Sequence, residues 1–512
     1  MPRPARSRPL PLRAAPVIIG VSIVVATVPV SAETLREALV KAYNTNPTLT
    51  GQRATQRSID ENVPIARASG LPLIDATGNY TENVLVASNS FVSPARQAQG
   101  GANVTVPIYT GGFVRNSVAA ARTRVEGGRE TLRGTESDLF SSVVGAYMDV
   151  IRDEAIVGLN TQNVRVLDIN LQASHDRFQV GDLTRTDVAQ SEARLALARS
   201  QLQSAEAKLI SSRESYIRLV GTPAGTLETP PILPNLPANP QVAVSIALDN
   251  NPFLLAAAKE SDATRYDIGV ARSNRLPRLN AVGGVGYYNY LGSTGVGSGI
   301  QPSGTTAQGG LSLSIPLFQG GRPAAQVRQA EAYRGRAIEN VTATERNVIG
   351  QTRSAYAVWR SSKQMILSSE TAVNANKLSL EGVRAENSVG TRTILDILNA
   401  EQELLNSQVT LVTARRDAYV AGFALLAAMG QAEARDLGID GGALYDPIAN
   451  YDRVHHRIWD FDSDGEPVAV ATRTAQSPAQ DARVAPQRDP LLKTPVDRNP
   501  GLTTGRGTPN HR

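Results

Sequence analysis

Two short stretches decide how this sequence folds: "VGDLTRTDV", Val180 to Val188, and "VGTRTILDI", Val389 to Ile397. Each opens with Val-Gly and follows with Thr-x-x-Asp, Thr184 to Asp187 in one and Thr393 to Asp396 in the other. Glycine suits a place where a helix must stop, because it adopts positive φ without strain. Thr-x-x-Asp has the spacing of a helix-start capping box. The phrase therefore reads as a helix end, a tight turn and a new helix, written twice.

Working outward, the duplication spreads along the chain. Asn46-Pro47 recurs as Asn251-Pro252 and Leu71-Pro72 as Leu276-Pro277, both 205 residues on. Pro107 recurs as Pro316, Gly181 as Gly390, Asp187 as Asp396 and Gly221 as Gly430, each 209 residues on. The offset changes once, between Pro72 and Pro107, as a loop tolerates and packed helices do not. Two structural repeats are expected, 33–238 and 239–446, joined by the proline-rich "TPPILPNLPANP".

Proline is absent from 108 to 222 and from 324 to 446, although the chain has 30. A helix interior excludes proline, which lacks the amide donor and clashes with the preceding turn. Each stretch predicts a long helical hairpin, over 112–221 and 321–430, bent back at its Val-Gly phrase. The first helix, Gly112 to Val180, would be roughly 100 Å long at 1.5 Å per residue, and Gly127, Gly128 and Gly134 argue for a bend in it. After each turn a heptad appears. Val188, Leu195, Leu202, Leu209 and Tyr216 alternate with Ser191, Ala198, Ala205, Ser212 and Leu219. Ile397, Leu404, Leu411, Ala418 and Leu425 alternate with Ala400, Ser407, Ala414, Ala421 and Ala428. One layer is large and the other mostly small, as close-packed helices with neighbours on both flanks require. An ordinary coiled-coil hairpin is the plain alternative.

Between the helical parts the period changes to two. Val104, Val106 and Ile108 alternate with Asn103 and Thr105, and Leu311, Leu313, Ile315 and Leu317 with Ser312 and Ser314. These are strands with one oily face. Their partners are "LIDATGNYTENVLV" and "RLNAVGGVGYYNYL", which places strand pairs at about 73–109 and 278–317, with Tyr80, Tyr287, Tyr288 and Tyr290 as interfacial aromatics and "SPARQAQ" and "STGVGSGIQPSGTT" as solvent loops. A soluble hairpin is the alternative. Four strands cannot close a barrel in lipid, where the smallest have about eight and an open edge costs several kcal/mol per unsatisfied group. Two, three or four copies would serve.

The composition excludes much. Arg3, Arg6, Arg8 and Arg13 before an apolar run from Val17 to Val28, then Val30-Ser31-Ala32, read as a signal peptide over 1–32. Its removal takes four arginines and no acid, lowering the formal charge from +5 to +1, so no nucleic-acid partner is implied. Without cysteine there is no disulfide, thiolate site or lipid on a Cys. His175, His455, His456 and His511 have no metal spacing, and "DFDSDG" from Asp460 would put Ala471 where a calcium loop needs Glu. "GGVG" at Gly283 precedes no helix and cradles no phosphate. No nucleophile, acid–base pair or cofactor site assembles, so no enzyme, metal or cofactor is expected. The extension 447–512 is rich in Pro, Arg, Thr, Ala and Gln beyond about 467 and is expected to be disordered there.

With "ALVKAYNTNPTL" and "ALDNNPFL" opening the halves, "VPIYTGG" and "IPLFQGG" at the strand-to-helix junctions, and "VGTRTILDILNAEQELL", the sequence over 33–446 resembles the TolC-type outer-membrane efflux factor family. The resemblance implies a mainly α fold with a transmembrane β-barrel part: a duplicated long-helix α-barrel plus four strands per chain, twelve in a homotrimer. It implies an exit duct for a tripartite efflux pump or type I secretion system. The partners implied are outer-membrane lipid, a periplasmic membrane-fusion adaptor and an inner-membrane transporter. A periplasmic coiled-coil adaptor is the alternative, although it would carry one hairpin and a lipoyl-like β domain. By resemblance Val180, Gly181, Val389, Gly390 and Thr391 face the adaptor. Arg392, Thr186, Asp187 and Asp396 form the periplasmic gate, Arg392 bonding to Thr186 and Asp187. The sequence departs from the family at Asn387, where a tyrosine is usual, and at Asn399, where a second acidic ring is usual.

Overall fold

The computed structural model describes residues 32–85, 94–293, 299, 301–439 and 444–493; the signal-peptide reading and His511 lie outside them. The chain runs α1 (Leu35–Thr45), α2 (Pro47–Asp60), α3 (Asn62–Ala68), β1 (Leu73–Glu82), β2 (Arg96–Tyr109), α4 (Phe113–Gln179) and α5 (Arg185–Val220). It then repeats the plan in α6 (Pro240–Asn250), α7 (Pro252–Ser273), β3 (Arg278–Asn289), β4 (Ser303–Ser314), α8 (Arg322–Ser388) and α9 (Ile394–Ala428), and ends with α10 (Ala449–Val454). It is a mainly helical fold with one four-stranded antiparallel sheet.

Caps explain where the short helices start. Asn46 and Asn251, each followed by proline at the first helical position, accept from the amides of Thr48 and Phe253. Such a residue supplies the acceptor that a helix start lacks, and proline has no amide there to lose.

Helices α4 and α8 each run 67 residues without interruption. Helix α4 runs unbroken through Gly127, Gly128 and Gly134, because these glycines mark close approach and not a break. A Cβ at Gly134 would stand 2.7 Å from the Phe253 ring, and one at Gly127 would stand 3.2 Å from Lys259 Cβ. The missing side chains let α7 and α2 lie against α4. Below that level α5 folds back on α4 and α9 on α8. The heptad layers face inward, with Val188, Leu195, Leu209 and Tyr216 buried on α5 and Ile397, Leu404, Leu411 and Leu425 on α9. The main core lies where the halves meet, joining Phe140, Val143, Tyr147, Tyr216, Phe423 and Met429. There Glu33 is clamped. Its carbonyl accepts from the Tyr147 hydroxyl at 2.8 Å, and its carboxylate accepts from Tyr216 at 2.9 Å and Lys41 at 2.7 Å.

The strand order is β1-β2-β3-β4, so β1 and β4 are both outer edges. The strands differ from the hydrophobic alternation at both ends. Arg96–Gln99 pair with Asn79–Glu82, and Ser303–Thr306 with Gly286–Asn289, so parts of both expected loops belong to the ladder. Backbone pairing needs no apolar side chain, and a tilted strand must run about 9–11 residues to cross a bilayer. At the other end β4 stops not at Leu317 but at Ser314, which pairs with Arg278, the first residue of β3. Ile74, Val285, Leu311 and Leu313 stay exposed on the sheet. Among the described residues no helix is long and apolar enough to cross a membrane.

Over 468–493 the extension is a strap laid over the helices where disorder was expected, and 494–512 lie outside the described residues. Arg213 of α5 donates to the carbonyls of Asp481 (2.7 Å) and Arg483 (2.9 Å). Arg415 of α9 bridges Asp489 and Glu370 of α8, Lys377 of α8 donates to the Pro490 carbonyl (2.7 Å) and Gln408 of α9 to that of Leu491 (3.0 Å). Leu492 is buried against Leu159 of α4 and Leu405 and Val412 of α9. A polar composition prevents a segment from building its own core, yet a few anchors suffice on a surface already formed. Leu492→Ala should weaken the seating of the strap by roughly 2–5 kcal/mol, the range for other buried leucines. Because the seat is local, limited proteolysis should cut 472–493 faster while the helical melting curve stays in place.

Candidate functional site

The turns between α4 and α5 and between α8 and α9 share one geometry. Gly181 has φ +83° and Gly390 φ +81°. The Gly181 amide donates to the Phe178 carbonyl (3.0 Å) and that of Asp182 to Arg177 (2.9 Å); Gly390 donates to Asn387 (3.0 Å) and Thr391 to Glu386 (3.1 Å). This is the Schellman ending, which satisfies two helix-end carbonyls and needs the left-handed conformation at the glycine. Three residues beyond each glycine Thr184 and Thr393 begin the next helix with complete capping boxes. Asp187 Oδ2 accepts from Thr184 N (2.9 Å) and Oγ1 (2.8 Å), and Asp396 Oδ2 accepts from Thr393 at the same distances.

These bonds hold both carboxyls below the ordinary aspartate pKa of 3.8, chiefly through the threonine amide and then its hydroxyl. Val180 and Val389 are 60% and 74% exposed beside their glycines. The fold itself makes no use of these apolar side chains. Thr186 is exposed.

The bond from Arg392 to Thr186 and Asp187 implied by the resemblance is not formed in this chain. The Arg392 guanidinium is taken by Glu386, Nε to Oε2 at 2.8 Å, while Asp187 is engaged in its own capping box. Glu386 raises the Arg392 pKa most, with a smaller contribution from Asp396. Asn387 does not reach the other hairpin either. Its Nδ2 donates to the Arg392 carbonyl at 2.7 Å, pinning the turn from within.

Polar contacts between the hairpins come from residues outside the implied gate, one of them Asn399, where the sequence departs from the family. Arg194 of α5 donates to Asn399 Oδ1 of α9 at 2.8 Å. Higher up, buried Glu401 of α9 accepts from Asn170 of α4 (3.1 Å) and Arg384 of α8 (3.0 Å), so three helices share one carboxylate. Burial pushes the Glu401 pKa up, against the pull of Arg384 and Asn170. Heptad spacing carries no signal for such links, which join positions far apart in sequence. Among the described residues no group of His, Cys, Asp or Glu could hold a metal ion.

Long paired helical hairpins continuing into an open antiparallel sheet define the class of outer-membrane channel proteins. A family model described as "Outer membrane efflux protein" matches residues 38–222 and again 243–431, and the chain belongs to this family. It is 33% identical over 422 residues to the outer membrane efflux protein BepC of Brucella suis, covering 82% of this chain and 90% of that one. It is 26% identical over 445 residues to the outer membrane protein TolC of Escherichia coli, covering 85% and 90%. The CmeC outer membrane channel of Campylobacter jejuni has the same fold, with TM-score 0.69 at 17% identity over 82% of this chain and 89% of that one. The protein therefore resides in the cell outer membrane with its helices reaching into the periplasm, and the periplasmic-adaptor alternative falls. These relatives are outer-membrane proteins and channels, not enzymes.

Thr393→Ala removes a capping oxygen and should cost about 1 kcal/mol. It should also return the Asp396 pKa toward the ordinary value, as carboxyl NMR would show. Because folding depresses the pKa of Asp187 and Asp396, their contribution is complete above pH 3.8 and is lost as pH falls through the lower folded values. Thermal unfolding between neutral pH and pH 3 should show no loss assignable to these boxes until below 3.8.

Proposed function

We propose that copies of this chain join edge to edge into a closed β-barrel. Their helices form the exit duct of a tripartite efflux pump or type I secretion system, a passive conduit opened at its periplasmic end when a membrane-fusion adaptor docks. The observation that carries this reading is the pair of free sheet edges. In lipid the backbone of β1 and β4 has no water to bond, so each edge must find another strand, and a second copy offers the complementary one. The number three, giving twelve strands, follows from the family likeness. One relative is an alkaline protease secretion protein of Pseudomonas aeruginosa, 28% identical over 305 residues, and it supports the secretion branch alongside efflux.

Docking falls on the turns, where exposed Val180 and Val389 stand beside Gly181 and Gly390 with Thr391 following, and an inner-membrane transporter supplies the cargo. The gate consists of Arg392, Thr186, Asp187 and Asp396 at the narrow end of the assembled tube, released when the adaptor contacts draw the hairpins apart. In the single chain Glu386 already competes for Arg392, which makes the closed gate easier to release.

The chain lacks cysteine, so introduced cysteines report cleanly. Scanning Thr77→Cys against single cysteines along β4 should give a covalent ladder ending at three copies on a non-reducing gel; a monomer throughout refutes the assembly. Arg392→Ser should raise the conductance of channels in planar bilayers. Because Asn399 leaves one acidic ring, at Asp396, divalent cations should block more weakly than in a channel with two rings, and block of equal strength counts against the assignment.

A further inference from the structure

The segment after α10 reverses direction close to the membrane end of the helices. On the way up, Asn450 Nδ2 donates to Asp60 at the end of α2 (2.8 Å). Arg67 of α3 then donates to the His455 carbonyl (3.3 Å) and meets His456 Nδ1 at 2.8 Å. From Asp60 to Arg67 is about two helical turns, roughly 10 Å toward the sheet. Helix α3 ends at Ala68 and β1 begins at Leu73. The return is fixed by ion pairs: Asp464 accepts from Arg453 (2.7 Å) and Arg457 (3.1 Å), and Asp462 from Arg457 (3.3 Å). Residues 458–461 are therefore the apex, beyond His456 on the membrane side.

That apex exposes three large apolar side chains, Ile458 (69%), Trp459 (72%) and Phe461 (87%), with the two rings 6.0 Å apart. Single exposed apolar residues are ordinary, but a cluster at the tip of an ion-paired loop marks a contact surface. Next to this apex in the chain, His456 meets Arg67 and lies near enough to Arg122 of α4 to be affected by its charge. Neither arginine has a carboxylate partner among the described residues. Both face His456, which lies below its ordinary pKa through His455 first, then desolvation and these two guanidiniums.

We propose that residues 458–461 are an interfacial anchor in the periplasmic leaflet of the outer membrane. Ile458, Trp459 and Phe461 enter the headgroup layer, and Arg67 and Arg122 meet lipid phosphates. Tryptophan favours that layer because its ring is apolar and its N–H is polar. Asp460, between the rings, sets the depth, since a carboxylate stays among headgroups and out of the hydrocarbon. The surface continues that of the sheet: four residues separate α3 from β1, and the headgroup layer extends several Å beyond the hydrocarbon core. The anchor fixes the height of the tube against the bilayer in a chain with no cysteine to carry a lipid.

Only two tryptophans occur, and Trp359 packs edge-on against Tyr356 in α8. The full assembly carrying Trp359→Phe would be reconstituted in phosphatidylethanolamine–phosphatidylglycerol vesicles brominated either near the glycerol end or near the far end of the acyl chains. Trp459 fluorescence should be quenched severalfold more by the shallow bromine. Quenching by acrylamide with none from either lipid would overturn the anchor. So would shielding from acrylamide and both lipids, which would place the loop against a neighbouring copy. A nitroxide at Phe461→Cys gives a second measurement of depth, independent of the tryptophan change. A nitroxide at Leu311→Cys on the sheet is the control: lipid exposure there with none at 461 sinks the anchor alone, and its absence at both sinks the membrane placement as well.

Discussion

Every peptide group placed in hydrocarbon must find its hydrogen-bond partner within protein, and that demand shapes this molecule more than any side-chain contact. It accounts for a ladder that continues past the apolar alternation into Gln, Gly and Thr. It also explains why the sheet, with β1 and β4 open, is an unfinished object in a single chain. The duplication follows the same logic, because each repeat supplies one hairpin of the sheet and the two join through β2 and β3.

The helices solve a different problem, that of reach. Two helices of 67 residues cannot be held by one compact core, and the main cluster covers only the zone where the halves meet. Beyond it, order is kept by thin layers: heptads within each hairpin, and sparse polar bonds such as Arg194 to Asn399 and the shared Glu401 carboxylate between hairpins. Local layers hold each hairpin firmly, and α4 meets α9 of the other hairpin through these polar links and through apolar patches, Leu159 with Leu405 and Val412 and Leu167 with Leu398.

The parts legible in the sequence were those written in short-range chemistry. Val-Gly and Thr-x-x-Asp became Schellman endings and capping boxes, and the heptads became buried seams. Proline-free stretches became unbroken helices. What could not be read depends on neighbours distant in sequence. Gly127 and Gly134 look like breaks until Lys259 and Phe253 are seen against them. The strand ends were misjudged because alternation reports which face is oily, whereas the ladder responds to backbone supply. The polar extension was misjudged because its anchors are spaced for a surface that only the folded chain provides.

That extension has a consequence for how the molecule is made. Its seat is assembled from α4, α5, α8 and α9 together, and it follows all of them in the order of synthesis. It can settle only after the two repeats have met. A chain stalled with its halves apart offers this ribbon no berth, so its seating reports that the two repeats have come together.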